Sequence, residues 1–192
     1  MDMTGEERIA APRDAVWAAL NDPEILKQCI PGCQSLEMKS PTELSAVVKL
    51  KVGPVSASFA GDVVLSNINA PESYTISGEG KGGIAGFAKG GADVTLTEDG
   101  DETILSYEVK AQVGGKIAQL GQRLIDGAAK STADDFFKRF EAEMQSRYGP
   151  PPAAVAAETA EAPAEKAGVM SGLMKKIGLG KKDDAVPPGD AA

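Results

Sequence analysis

The chain has 192 residues, of which 42% are hydrophobic and 25% charged, and it carries a net charge of −8 at pH 7. This length and composition predict one soluble globular domain with appendages. The acidic balance argues against nucleic-acid binding, because phosphate contacts require clustered Lys and Arg. No apolar run approaches the roughly 18 residues of a membrane-spanning helix. The N-terminus lacks the basic start and apolar core of a secretory signal, so we expect a cytoplasmic protein.

Histidine is absent, and the two cysteines are Cys29 and Cys33. Two thiols without histidine cannot complete a four-ligand zinc site, so we predict no metal. A disulfide is not expected in a cytoplasmic protein. Two reduced, partly buried thiols are therefore favoured, with redox sensitivity or an exposed contact as the alternatives.

The first predicted elements are a strand over residues 3–10 and two short helices. Pro12 suits the first turn of the first helix. Asp22 is a candidate N-cap of the second helix, with Pro23 in its first turn and its end near Cys29. The chain therefore leaves its first strand through two helices before it returns to extended structure.

Alternating apolar and polar residues predict about six further strands, separated by short turns that contain Gly, Pro or Asp. They cover residues 34–40, 43–52 and 55–66, a segment opened by Tyr74 and Ile76, a segment after Gly91, and residues 103–111. Short connections between successive strands imply an antiparallel sheet. One apolar face per strand means that the sheet covers a core on one side.

A single long helix is predicted from Lys116 to Arg147, where apolar residues recur at helical spacing. No other element is long enough to fill the concave side of the sheet. We therefore predict an α+β fold in which a curved antiparallel sheet of about seven strands wraps around this C-terminal helix. The two short helices follow the first strand.

The segment from Gly78 to Gly83 contains a literal GxGxxG sequence. A dinucleotide site requires that such a segment follow a strand and open a helix, and no helical pattern comes next. We interpret these glycines as bulges and sharp bends in a curved sheet. A functional alternative is that they give access to a cavity, with Ile84 and Phe87 at its rim.

Small residues in the first half of the long helix predict an apolar cavity beside it. Gly127 and Ala128 leave room, whereas Phe136 and Phe140 in the second half fill space. The cavity should lie at the Lys116–Ala129 end. The candidate ligand contacts are Trp17, Phe59, Ile84, Phe87, Ile117, Leu120 and Leu124. The alternative is a packed core without a ligand.

Composition divides the chain into a folded domain over residues 1–148 and a C-terminal extension. Residues 149–165 are predicted to form a flexible linker rich in Pro and Ala, and residues 183–192 a disordered end. Residues 166–182 carry five Lys and no acid, and helical spacing places an apolar face between basic flanks. The candidate membrane-binding residues are Val169, Met170, Leu173, Met174, Lys175, Lys176 and Ile177.

We expect this segment to dock reversibly on anionic lipids of the cytoplasmic membrane. The alternatives are a groove on a partner protein and a disordered tail that aids solubility.

Several segments together resemble the CoxG family, named after an accessory component of carbon monoxide dehydrogenase, which belongs to the START-like helix-grip superfamily (SRPBCC). The most specific are Asn21-Asp22-Pro23 and Ile30-Pro31-Gly32-Cys33, and the glycine-rich middle and the final helix agree. The resemblance covers about residues 1–147. It implies a non-catalytic accessory protein that recruits a molybdenum hydroxylase, such as the CO dehydrogenase complex, to the cytoplasmic membrane.

The superfamily resemblance also implies a hydrophobic small molecule between sheet and helix. A respiratory quinone or another lipid is the candidate, bound as a ligand, and no cofactor is otherwise expected. A quinone would connect the cavity with the membrane-binding tail in one mechanism.

An enzyme is the alternative function, because some helix-grip proteins are cyclases or hydrolases that act on hydrophobic small molecules. The absence of His argues against it. Inward-facing Tyr74, Tyr107, Glu108 or Asp126 would favour it. A scaffold with a filled core is the third possibility, and a cavity in the structure separates it from a carrier.

Overall fold

The computed structural model describes residues 1–149 and confirms seven strands, two short helices and a long C-terminal helix. The strands are β1 Asp2–Ile9, β2 Cys33–Ser40, β3 Glu43–Val52, β4 Val55–Asn69, β5 Ser73–Lys81, β6 Phe87–Asp99 and β7 Glu102–Gly114. The helices are α1 Arg13–Leu20, α2 Pro23–Cys29 and α3 Gln122–Tyr148. Two short 3₁₀ helices, Gly83–Ala85 and Lys116–Leu120, complete the described elements.

All seven strands form one antiparallel sheet in the order β1-β7-β6-β5-β4-β3-β2. Each strand from β2 to β7 pairs with its neighbour in sequence, and β1 forms one edge of the sheet, beside β7. Helix α3 contacts β1 at one edge, β3 near the other edge and also α2. These contacts show that the sheet curves around the helix.

The start of α2 follows from the residues that open it. The Asp22 carboxylate accepts hydrogen bonds from the backbone N–H groups of Glu24 at 2.8 Å and Ile25 at 3.3 Å. Pro23 occupies the first turn, where its missing N–H costs nothing. The predicted cap and the predicted end at Cys29 are confirmed.

The glycine-rich segment forms a regular hairpin rather than the predicted bulges. Strands β5 and β6 pair without a register shift from Ser73↔Thr95 to Lys81↔Phe87. The glycines instead permit close approach of neighbouring strands, since a Cβ at Gly78 would lie 2.8 Å from the carbonyl oxygen of Asp62. The GxGxxG sequence runs from β5 into a three-residue 3₁₀ turn, so no helix stands where a dinucleotide site would require one.

The long helix begins later than its apolar pattern predicts. Gly115 and Gly121 adopt positive φ values of 82° and 88°, a conformation that favours glycine. Between them residues 116–120 form a separate 3₁₀ helix, and α3 starts at Gln122. The prediction of one continuous helix from Lys116 is therefore wrong in its first six residues.

Buried residues form two clusters. The larger one surrounds Phe140 and Met144 of α3 and includes residues of α1, α2, β1 and other strands of the sheet. The smaller one joins Val52, Phe59, Ala85, Ile117 and Ile125 at the other end of α3. The helix is thus fixed firmly at its C-terminal half, and its N-terminal half packs on a second, smaller cluster.

None of the helices within residues 1–149 is long and apolar enough to cross a membrane. The predicted linker, amphipathic helix and C-terminal end, with all seven candidate membrane-binding residues, lie outside the described residues. Their boundaries stay predictions.

Candidate ligand-binding cavity

A cavity of about 690 Å³ lies between the inner face of the sheet and α3. Its volume falls within the range of about 300–1,000 Å³ that is typical of small-molecule sites. Most of its lining side chains are apolar. The fold therefore leaves open space where a scaffold with a filled core would have none.

One wall of the cavity is a face of α3 whose middle carries mostly small side chains. The lining residues recur at intervals of three or four, which places them on one face of the helix. They are Ile125, Ala128, Ala129, Thr132, Ala133, Phe136 and Phe137. Small side chains at four of these positions leave space against the sheet. The lining also reaches Phe136 and Phe137, so the cavity extends beyond the predicted Lys116–Ala129 end. Phe140 and Met144, one and two turns further on, are fully buried in the larger cluster and lie outside the lining.

The opposite wall comes from inward-facing residues of the sheet. Alternate residues of β3 and β4 supply much of it, as strand geometry requires. They include Leu44, Ala46, Val48, Leu50, Phe59, Val63 and Leu65. Met1 and Met3 beside β7, and Leu36 and Met38 of β2, also line the cavity. The inward direction of Met3 and of the β3 residues was predictable from alternation, but their place on a cavity wall was not.

Two of the seven candidate ligand contacts line the cavity, namely Phe59 and Ile117. The other five lie outside the lining, so the structure does not bring all seven together. Trp17 packs edge-on against Tyr74, with ring centroids 5.2 Å apart, and Leu120 packs in the smaller cluster. Contact of any of the seven with a ligand stays a prediction.

The remaining three candidates lie on the surface of the domain. Ile84 is 90% exposed, Leu124 is 48% exposed, and Phe87 lies over Gly114. The break at Gly121 explains the position of Leu124. The break rotates the residues after Gly121 relative to Ile117, so that Ile125 rather than Leu124 faces inward.

The polar groups on the lining include two tyrosines. Burial raises the pKa of Tyr74, and burial followed by the carboxylates of Glu7 and Asp134 raises the pKa of Tyr107. Both phenols are therefore neutral near pH 7 and can donate a hydrogen bond. The Thr132 hydroxyl already donates to the Ala128 carbonyl at 2.8 Å.

Of the four residues whose inward position would favour an enzyme, Tyr74 and Tyr107 line the cavity, whereas the two carboxylates do not face it. Glu108 is exposed and pairs with Lys110 at 2.7 Å, and Asp126 is exposed and accepts a hydrogen bond from Gln122 at 2.6 Å. Asp62 also borders the cavity, but its carboxylate is exposed and pairs with Lys39 at 2.6 Å. In the described part of the chain, no group of three or more Cys, Asp and Glu side chains could hold a metal ion.

A family model decides the relationship that the motifs suggest. The model of CoxG, the carbon monoxide dehydrogenase component, matches residues 5–145, which includes nearly all of the described domain. The chain belongs to the CoxG family. No curated protein matches the sequence.

Solved structures show the same fold. A conserved protein from Geobacillus kaustophilus is 32% identical, with a TM-score of 0.72 over 76% of this chain and 96% of its own. A START superfamily protein from Mycobacterium smegmatis is 16% identical, with a TM-score of 0.59 over 76% and 97%. The Zhui aromatase/cyclase from a Streptomyces species is 13% identical, with a TM-score of 0.56 over 77% and 94%. The helix-grip prediction is thereby confirmed.

CoxG is a family of accessory subunits, and membership of it is consistent with a protein that is not itself an enzyme. Some structural neighbours are cyclases, but an identity of 13% shows a shared fold and nothing about a shared reaction. The family and the apolar cavity together indicate a site for a hydrophobic ligand.

The reactivity of the two thiols of this CoxG-family protein tests their burial. Cys29 is buried and Cys33 half-buried, and both are free. Burial is the main cause that raises the pKa of each thiol. Because the thiolate is the nucleophile, we expect both to react more slowly with iodoacetamide at pH 8 in the native chain than in urea, with Cys29 the slower. Peptide mass spectrometry measures the two rates separately, and equal native and urea rates would contradict the assigned burial.

Proposed function

We propose that this CoxG-family protein carries a hydrophobic small molecule in the sheet–helix cavity and recruits a molybdenum hydroxylase to the cytoplasmic membrane. In this proposal the protein catalyses no reaction itself. The observation that carries the proposal is the apolar cavity of about 690 Å³ in a chain of the CoxG family. The family name supports a hydroxylase of the CO dehydrogenase type as the partner.

A respiratory quinone is the ligand that we propose. Its isoprenoid chain matches the apolar walls, where transfer from water is favourable at roughly 25 cal/mol per Å² of buried apolar surface. Its ring carbonyls need hydrogen-bond donors, and the neutral phenols of Tyr74 and Tyr107 are two such donors on the lining. The small residues of α3 between Ile125 and Phe136 provide the space.

The proposed membrane contact is the amphipathic segment 166–182, which lies outside the described residues. Its apolar face between lysines supports reversible binding to anionic lipids, to which each nearby Lys contributes up to about 1 kcal/mol. The linker would let the folded domain reach the partner enzyme while the tail stays on the membrane.

Purification of the tagged full-length protein from native membranes tests recruitment. We expect the subunits of one molybdenum hydroxylase to copurify and the hydroxylase to sediment with the membrane fraction. The double substitution Leu173→Asp and Ile177→Asp should move both proteins to the soluble fraction, whereas Val186→Asp in the predicted disordered end should not. Recruitment would be refuted if no hydroxylase copurifies with the tagged protein. It would also be refuted if the tail substitutions do not change the amount of hydroxylase in the membrane fraction.

A further inference from the structure

Exposed apolar side chains gather at one end of the domain, where three connections meet. We define this loop tip as residues 51–55, 81–89 and 114–124. It presents Ile84, which is 90% exposed, together with Phe87 and Leu124.

The three connections touch one another. A Cβ placed on Gly53 would lie 3.6 Å from Leu124 Cδ1. The backbone of Gly86 packs against Gly114 and Gly115. Ile84, Phe87 and Leu124 therefore belong to one end of the fold rather than to scattered surface positions.

The charge of the loop tip is opposite to that of the rest of the domain. Its segments contain five Lys and Arg residues and no acid, namely Lys51, Lys81, Lys89, Lys116 and Arg123. The other described residues contain 10 Lys and Arg against 22 Asp and Glu. Glu79 at the border lies 3.7 Å from Lys81, whereas Lys51, Lys116 and Arg123 form no ion pair within residues 1–149. An acidic domain thus has one cationic end, and that end also exposes apolar side chains.

The loop tip lies over one end of the cavity. Val52, Phe59, Ile117 and Ile125 of the smaller buried cluster all line the cavity beneath it. The 3₁₀ turns above them are bounded by glycines with positive φ, including Gly86 at 112° and Gly115 at 82°. The exposed apolar side chains therefore belong to the cover of the ligand space.

We infer that the loop tip docks directly on an anionic lipid bilayer. Ile84 and Leu124 enter the acyl-chain boundary, and the five cations contact lipid phosphates. A lipid surface fits better than a protein groove, because the centres of protein interfaces are depleted in Lys. The inference rests on the proposed membrane role and gives the folded domain a contact separate from the tail. It places the end of the cavity against lipid, so that an apolar ligand can pass between them without crossing water.

Fluorescence of an indole at position 84 of the full-length chain tests this docking. We expect Ile84→Trp emission to shift to the blue, and to be quenched by brominated lipid, in vesicles that contain phosphatidylglycerol. Ile68→Trp is the matched control, since Ile68 is also exposed but lies about 40 Å along β4 from the loop tip. It should show neither change. The native Trp17 packs against Tyr74 and supplies a constant background.

A second pair of variants measures affinity by vesicle flotation. Ile84→Asp should weaken binding to the same vesicles about tenfold, because burying one such side chain is worth more than 1.4 kcal/mol. Ile68→Asp should leave binding unchanged. If the chain binds these vesicles while the indole at position 84 stays unquenched, the docking inference is refuted and tail-based recruitment stands. Equal binding to neutral phosphatidylcholine vesicles would refute the role of the cations. Failure of the full chain to bind at all would refute both proposals.

Discussion

Replacing Phe140 by Ala should lower the free energy of unfolding by about 3–5 kcal/mol. Phe140 is 0% exposed and stacks on Phe136, with ring centroids 5.7 Å apart. It joins α3 to the larger buried cluster, so its loss removes apolar burial and leaves a cavity. Urea unfolding followed by circular dichroism measures the change.

Tyr148→Ala on the same helix is the matched control for Phe140→Ala. Tyr148 is 50% exposed, so its replacement should change the unfolding free energy by less than about 1 kcal/mol. Similar losses in the two variants would mean that the C-terminal half of α3 does not fix the fold.

Replacing Ala129 by Phe should fill the cavity and weaken ligand binding about 10- to 100-fold, which corresponds to about 1.4–2.8 kcal/mol. Ala129 lies on the cavity face of α3, where a larger side chain occupies space that a ligand would need. In a fully packed core such a substitution would destabilise the fold by about 1–3 kcal/mol. Next to open space it should leave the stability nearly unchanged. Calorimetric titration with a short-chain quinone and urea unfolding measure the two quantities.

Ala142→Phe places the same substitution on an exposed position of the same helix. Its quinone affinity should equal that of the unaltered chain. If Ala129→Phe binds the quinone as tightly as Ala142→Phe does, the ligand does not occupy the space beside α3.

The architecture could be predicted because each of its elements has a local signal. Alternation predicted the strands and their inner faces, and Asp22 with Pro23 predicted the start of α2. The short connections then left few topologies, since neighbours in sequence pair across tight turns. A long amphipathic helix after the last strand had one open face on which to pack.

The cavity lining was harder to predict because it depends on backbone details that an apolar pattern does not carry. Ile117, Leu120 and Leu124 fit one helical face, but Gly121 interrupts the helix and rotates Leu124 outward. Ile84 and Phe87 are apolar residues in a turn, and the surface position of such residues becomes visible only with the fold. Trp17 packs on Tyr74, a contact between α1 and β5, which are distant in sequence.

The glycines show the same limit. Their density predicted bulges and sharp bends, because sequence alone could not distinguish bulges from the close approach of neighbouring strands. Strands β5 and β6 pair in unbroken register, with Gly78 opposite Gly90, so this hairpin contains no bulge and the glycines permit close approach of neighbouring strands. Gly61, Gly78 and Gly80 also line the cavity. Because they have no side chains, they leave more space between the sheet and the helix.

The central claim is that the space between sheet and helix holds an apolar ligand. Native mass spectrometry of the full-length protein, purified gently from its own membranes, followed by organic extraction, tests it most directly. We predict a population with one bound quinone or other lipid per chain, strongly reduced in Ala129→Phe and retained by Ala142→Phe. A protein that carries no extractable lipid, or the same lipid in both variants, would contradict the account.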